Sequence, residues 1–132
     1  MGQNSRPAPF LQIPVELMFD NPSTAASVTK KEHVVRADRK LRIDKVTYEN
    51  VTGLAVDTSN FFVLELRNGA TSICLLTTHD TAIVADTPIT IPLNAVAANA
   101  ILQPGDTLTS VLTKTGTQTL PAGRFIVHGT LL

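Results

Sequence analysis

Val, Ile and Thr fill 38 of the 132 positions (12, 8 and 18 residues), and eight prolines and seven glycines break the chain at short intervals. Branching at Cβ restricts χ1 and suits a pleated sheet better than a helix. No window of 15 residues free of turn signals carries a sustained 3.6-residue apolar stripe. Such a chain is confined to many short strands in a sandwich or barrel.

The punctuation then divides the chain. Gln12 to Phe19 reads as a strand with Ile13, Val15, Leu17 and Phe19 on one face, and Pro14 marks it as an edge or a strand start. Asp20-Asn21-Pro22-Ser23 signals a turn, and Ser23 to Thr29 a loop. Lys30 to Asn50 reads as one long β stretch. Its apolar parity slips by one between Ile43 and Val46, as a β-bulge or a crossing between sheets would cause. Thr52-Gly53 and Thr58-Ser59-Asn60 read as turns. Phe61 to Arg67 is apolar enough for a central strand, and Asn68-Gly69 predicts a hairpin turn with φ > 0 at both positions. Thr71 to Thr78 returns, Thr81 to Val84 and Ile89 to Leu93 are short strands, and Asn94 to Ala100 suits a single helical turn. Gln103-Pro104-Gly105-Asp106 fits a type II turn. Thr107 to Lys114 and Arg124 to Leu132 are the last strands, separated by turns at Thr115-Gly116-Thr117 and Leu120-Pro121-Ala122-Gly123.

About eight strands in one chain of this length predict an all-β protein: a single antiparallel β-sandwich, most naturally a jelly roll, over residues 12–132. Residues 1–11 form an extended N-terminal arm, since Pro7 and Pro9 fix their own φ and bias Arg6 and Ala8 away from helix. An immunoglobulin-type sandwich lacks its paired cysteines and core Trp here, and no internal repeat supports a propeller or β-helix.

Composition excludes several function classes. Eleven Lys+Arg balance eleven Asp+Glu, and a neutral chain is a poor general binder of nucleic acid. The longest weakly polar stretch, Ala95 to Leu102, is far short of the roughly 20 residues of a membrane helix. No apolar h-region follows Met1, and Arg6 spoils a myristoylation context at Gly2, so production in a cytoplasm is expected. Cys74 is the sole cysteine, which rules out intrachain disulfides and Cys-based zinc clusters. Charged residues make up only 17% of the chain. That is below the roughly 25% of ordinary soluble domains and suggests that other protein covers part of the surface.

Chemistry is hard to find. His33, His79 and His128 form no short metal-ligand pattern, and His79-Asp80 beside a turn reads as a solvated loop. Cys74 lies in an apolar strand and reads as a small buried hydrophobe. There is no G-x-S-x-G elbow, no glycine-rich phosphate loop, and neither the P-R-S-G run nor the glycine-rich arm of a dUTPase-type hydrolase. Without Trp and with Tyr48 as the sole tyrosine, an aromatic sugar platform is missing. The expectation is a non-enzymatic protein without catalytic residues, metal or cofactor.

Two features point to partners. Residues 30–45 hold seven basic side chains (Lys30, Lys31, Arg36, Arg39, Lys40, Arg42, Lys45) against Glu32, Asp38 and Asp44. That segment is either a basic edge docking on an acidic protein surface, another copy of the chain included, or a solvated face whose charges guard against aggregation. The arm is the second feature. Arg6, Pro7, Pro9, Phe10 and Leu11 form a stiff apolar segment suited to clamping a neighbour, unless it simply frays.

Three segments together, Arg39 to Asn50 (RKLRIDKVTYEN), Leu102 to Leu112 (LQPGDTLTSVL) and Leu120 to Leu132 (LPAGRFIVHGTLL), resemble the small head decoration, or cement, proteins of tailed bacteriophages. The resemblance spans roughly residues 30–132 and rests on strand-and-turn patterns. It implies a jelly-roll or similar β fold that binds the outer surface of the virion capsid as a dimer or trimer. There it would stabilise joints between subunits of the major capsid protein, with no catalytic residues. The alternative is a receptor- or glycan-binding β-sandwich module of a phage tail or fibre, with a pocket near Tyr48 or His79. A metal-dependent cupin-type enzyme is a third option.

Overall fold

The computed structural model describes residues 11–132. The arm positions Arg6, Pro7, Pro9 and Phe10 lie outside the described residues. Among the described residues there are nine strands: β1 (Ile13–Asn21), β2 (Val28–Val34), β3 (Leu41–Asn50), β4 (Phe61–Asn68), β5 (Thr71–Thr77), β6 (Ile89–Ile91), β7 (Ile101–Leu102), β8 (Thr107–Thr115) and β9 (Gly123–Leu131). A 3-10 turn, Ala97–Ala100, precedes β7. One sheet runs β1-β9-β3-β6 with β7 also on β3, and the other runs β2-β8-β4-β5. All pairings are antiparallel.

With β7 set aside, the strands pair as nested couples: β1 with β9, β2 with β8, β3 with β6, β4 with β5. That winding is the jelly roll expected from strand number and spacing. The sheets enclose one apolar core. Phe62, Leu64 and Leu66 of β4 and Leu108 and Leu112 of β8 come from one side. Leu41, Ile43, Val46 and Tyr48 of β3 and Phe125 and Val127 of β9 come from the other. Tyr48 and Phe125 meet edge-on, with ring centroids 5.1 Å apart.

Strand patterning explains most of this. In β1, exposed Pro14, Glu16, Met18 and Asp20 alternate with Ile13, Val15, Leu17 and Phe19, which face the core. Pro14 is tolerated because β1 is an edge strand. The parity slip in β3 is a bulge: Ile43 pairs Gly129 and Lys45 pairs His128, so Asp44 is the extra residue. The Asp44 carboxylate accepts from Arg42 Nε at 2.7 Å and from the Thr130 hydroxyl at 2.6 Å. These two donors outweigh the effect of partial burial and hold its pKa below the ordinary carboxylate value. The Gln103–Asp106 turn closes with Asp106 N donating to Gln103 O at 3.0 Å, and Gly105 supplies φ +85°.

Four sequence expectations need correction. Lys30 to Asn50 is two strands in different sheets, β2 and β3, joined by Val35–Lys40. The connection is pinned by buried Val35, whose N–H donates to Asp106 O at 2.8 Å. The β4–β5 hairpin turns on Gly69-Ala70 rather than Asn68-Gly69. Asn68 stays in the ladder opposite Thr71, and of these residues only Gly69 has positive φ, +60°. Gly at the first central position is the type II′ pattern, which needs one left-handed residue instead of two. Thr81 to Val84 makes an isolated bridge, Leu54 with Ile83, because the chain there must cross between sheets. Asp20 and Asn21, read as turn residues, still pair in β1 with Arg124 and Gly123.

Candidate functional site

Antiparallel winding sorts the connections into two ends. One end, the tip, carries the connections 22–27, 51–60, 78–88 and 116–122. The other, the base, carries 35–40, the Gly69-Ala70 turn, 92–100 and 103–106.

At the tip a cleft of about 340 Å³ opens where β1, β3 and β9 end, walled by Asp20, Asn21, Glu49, Asn50, Asp86 and Arg124, with Val51 at its side. Its floor follows from register. Asn21 and Asn50 both lie opposite Gly123, one on each flank of β9. A Cβ at Gly123 would collide with the Tyr48 hydroxyl and lie 2.6 Å from Glu49 O, so only glycine lets the tyrosine end there.

Three buried polar groups therefore gather in one place. Asn21, Asn50 and Tyr48 are 9%, 2% and 0% exposed. Both polar atoms of the Asn21 amide, the Asn50 amide nitrogen and the Tyr48 hydroxyl have no hydrogen-bond partner. Asn50 Oδ1 is used, accepting from Gly53 N at 2.5 Å. Burial pushes the Tyr48 hydroxyl up to about 12. The neighbouring Asn50 side chain offsets a little of this, although neither group reaches hydrogen-bond geometry with the other. Unpaired buried polar groups are uncommon in folded proteins and call for an explanation at each site.

Charge at the cleft rim is mostly negative. Arg124 Nε lies 3.5 Å from Asp20 and 3.9 Å from Glu49. Asp86 adopts left-handed φ +55° while its N–H donates to Asn50 O at 2.8 Å. Among the described residues, no group of three or more His, Cys, Asp or Glu side chains converges as a metal site. The arrangement offers donors and acceptors for a polar ligand.

The basic stretch is dispersed. Lys30 and Lys31 sit on edge strand β2 in one sheet, Arg42 on β3 in the other, and Arg36, Arg39 and Lys40 in the connection between. Most are engaged locally. Lys30 lies 3.4 Å from Glu32, Arg36 2.8 Å from Asp38, and Arg42 2.7 Å from Asp44. Arg39 donates to Leu132 O at 3.1 Å and also to Leu11 O, tying the chain before β1 to the end of β9. Leu11, the described arm residue, is exposed. His79 lies against the Asp80 carboxylate at 2.5 Å and packs edge-on to Phe61. His128 faces Glu16 at 3.6 Å, and Cys74 is buried, with burial pushing its thiol up to about 12.

Sequence reasoning named Tyr48 but missed Asn21, Asn50 and Gly123. Each reads as an ordinary turn or strand-end residue, and their convergence depends on β1 and β3 flanking β9, which pattern alone does not reveal. It also missed exposed Val51, Val56 and Val84, which all lie at the tip. The loops that carry them are fastened by the Leu54–Ile83 bridge, with N–H donors to carbonyls at 2.8 Å in both directions.

No family model matches the chain, and no curated protein does. Among solved structures, a chain in the structure of infectious bursal disease virus, Gx strain, is similar at 18% identity and a TM-score of 0.34. The similarity covers 92% of this chain and 37% of that one, so the chain spans well under half of its length.

Proposed function

We propose that the protein is a non-enzymatic structural component of a virion, bound to the outer surface of a phage capsid and bracing joints between major capsid subunits. The observation that carries this reading is the placement of exposed apolar side chains. Val51, Val56 and Val84 are exposed in the tip connections; at the base Leu11 and Val34 are exposed beside the edge strands β1 and β2, and Val96 beside β5 at the other edge, in a chain with few charges. Exposed apolar side chains at the two ends of the sandwich support the reading that other protein covers these ends. The jelly roll is a fold that capsid proteins use, as lectins and cupins do, so the fold supports the reading by analogy only. Two of the three segments that resemble decoration proteins, β3 and β9, lie side by side, and the third meets β3 at Leu102 before its strand β8 joins the other sheet.

The mechanism is mechanical. A brace that binds only the assembled shell stabilises that state by mass action. Repeated over many joints, even a standard interface of about 1,600 Å² would raise resistance to internal pressure. Immunogold labelling and mass spectrometry of purified particles test this. The chain should lie on the head surface, and shells lacking it should burst earlier on heating or chelation. A chain absent from heads, or shells equally robust without it, refutes the reading.

The tip cleft favours a second reading, a glycan-binding module. Carboxylates, a guanidinium and two amides beside Tyr48 can match hydroxyls that both donate and accept. Saturable binding on a glycan array, lost in Asn50→Leu, would replace the structural reading with this one.

A further inference from the structure

The two ends of the sandwich differ in charge as well as in connectivity. The tip connections contain Asp57, Asp80 and Asp86 and no Lys or Arg, a net charge of −3 with His79 neutral. The base connections contain Arg36, Arg39 and Lys40 against Asp38 and Asp106, a net charge of +1. The base acids are engaged: Asp38 by Arg36, and Asp106 by Asn68 Nδ2 at 3.0 Å and Gln103 N at 2.8 Å. Lys40 is exposed. At the tip, Asp57 accepts from Ser59 N and Asn60 N, which lowers its pKa and keeps it charged.

Each end also exposes apolar side chains. At the tip, Val51 is 69% and Val84 62% exposed; at the base, Val34 and Leu11 are each 62% exposed. Both platforms are held in place. Asp86 N to Asn50 O and the Leu54–Ile83 bridge fix the tip. Val35 N to Asp106 O, Gly105 N to Val35 O and Leu132 N to Lys40 O fix the base. Neither platform must order itself before binding, which removes one of the main costs of association.

We propose that this chain associates end to end with a second copy of itself, the acidic tip of one molecule seated on the basic base of the next. The argument is complementarity: an end with net negative charge meets an end with net positive charge, each also exposing apolar side chains, and both belong to the same chain. Like ends repel, so the contact is heterologous. A heterologous contact propagates into rings or open rows rather than stopping at a two-fold dimer. The proposal does not depend on the capsid reading, because it is tested on purified protein with no shell present.

Sedimentation velocity across two decades of protein concentration gives the first test. Size should grow with concentration at about 20 mM salt. The growth should weaken several-fold at about 500 mM, where the Debye length falls from about 20 Å to about 4 Å. The second test swaps the charges. Asp80→Lys, Ala82→Lys and Asp86→Asn together take the tip from −3 to +1, and Arg36→Glu with Lys40→Glu takes the base from +1 to −3. Each variant alone should lose at least tenfold in association, and an equimolar mixture should recover it, since each then meets its complement. Val84→Ser and Val34→Ser, which keep every charge, should each weaken association several-fold. A native chain that stays monomeric throughout at low salt overturns the proposal. So do variants that melt like the native chain and associate equally well, or a mixture no better than its components.

Discussion

Replacing Tyr48 by phenylalanine removes one buried oxygen from beneath the tip cleft, and the structure expects a gain from it. The hydroxyl is fully buried and has no hydrogen-bond partner. Leaving a buried polar group unpaired costs about 1–3 kcal/mol, whereas a satisfied hydroxyl contributes about 1 kcal/mol. The ring itself, packed edge-on against Phe125, is unchanged by the substitution. Tyr48→Phe should therefore stabilise the protein by about 1 kcal/mol. That corresponds to a rise in Tm of about 3 °C for a domain of this size. Urea unfolding followed by circular dichroism measures it, with an unaltered m-value showing that the denatured state has not changed. Gly123→Ala supplies the opposing arm: its Cβ collides with the same hydroxyl and crowds Glu49 O, so a loss of about 2–3 kcal/mol is expected. Because part of that clash disappears with the oxygen, the double variant should lose less than the sum of the single effects. A loss of 1 kcal/mol or more in Tyr48→Phe alone would show that the hydroxyl is well bonded and that the polar cluster is a stabilising network.

Other outcomes follow from single features. Gly105 and Gly116 both have φ near +80°, but a Cβ meets nothing at Gly105 and collides with Asn60 Oδ1 at Gly116. Alanine should cost about 1 kcal/mol at Gly105 and distinctly more at Gly116, read by thermal melts. Acid should destabilise the fold through Asp44, whose pKa is lower folded than unfolded. Its contribution is present above the unfolded value of about 4 and is lost as pH falls through the folded value. Asp44→Asn should accordingly flatten the acid limb of stability against pH. Cys74 should resist thiol reagents at pH 8 in the native protein and react promptly in urea, since burial disfavours its thiolate. Fast native labelling would mean that β5 opens readily.

How far the sequence disclosed this architecture depended on the range of the interaction. Alternation in β1, the apolar run of β4 and the parity slip at Asp44 were all legible, because side-chain period is a local property. The hairpin was legible, but not which residue takes positive φ: Asn68 and Gly69 both can, and pairing of Asn68 with Thr71 decides it. The basic segment 30–45 looked like one surface because its residues are adjacent in the chain. The fold deals them to two sheets and a connection, and neutralises several with nearby acids. The cleft and the tip valines were hidden for the converse reason. Asn21, Asn50 and Gly123 are far apart in sequence and meet only through the ladder, and lone valines in polar loops carry no periodic signal.

The pairing of β1 with β9 has a consequence for how the molecule is made. Ile13 finds its partner Leu131 more than a hundred residues later, and among the described residues β1 has no other neighbour in its sheet. On a ribosome the earliest strand must wait, unprotected, until nearly the whole domain has emerged. So dominated by distant pairings, the protein should reach its native state in milliseconds to seconds rather than microseconds. Shortening it by a few residues within β9 would strip support from two strands at once.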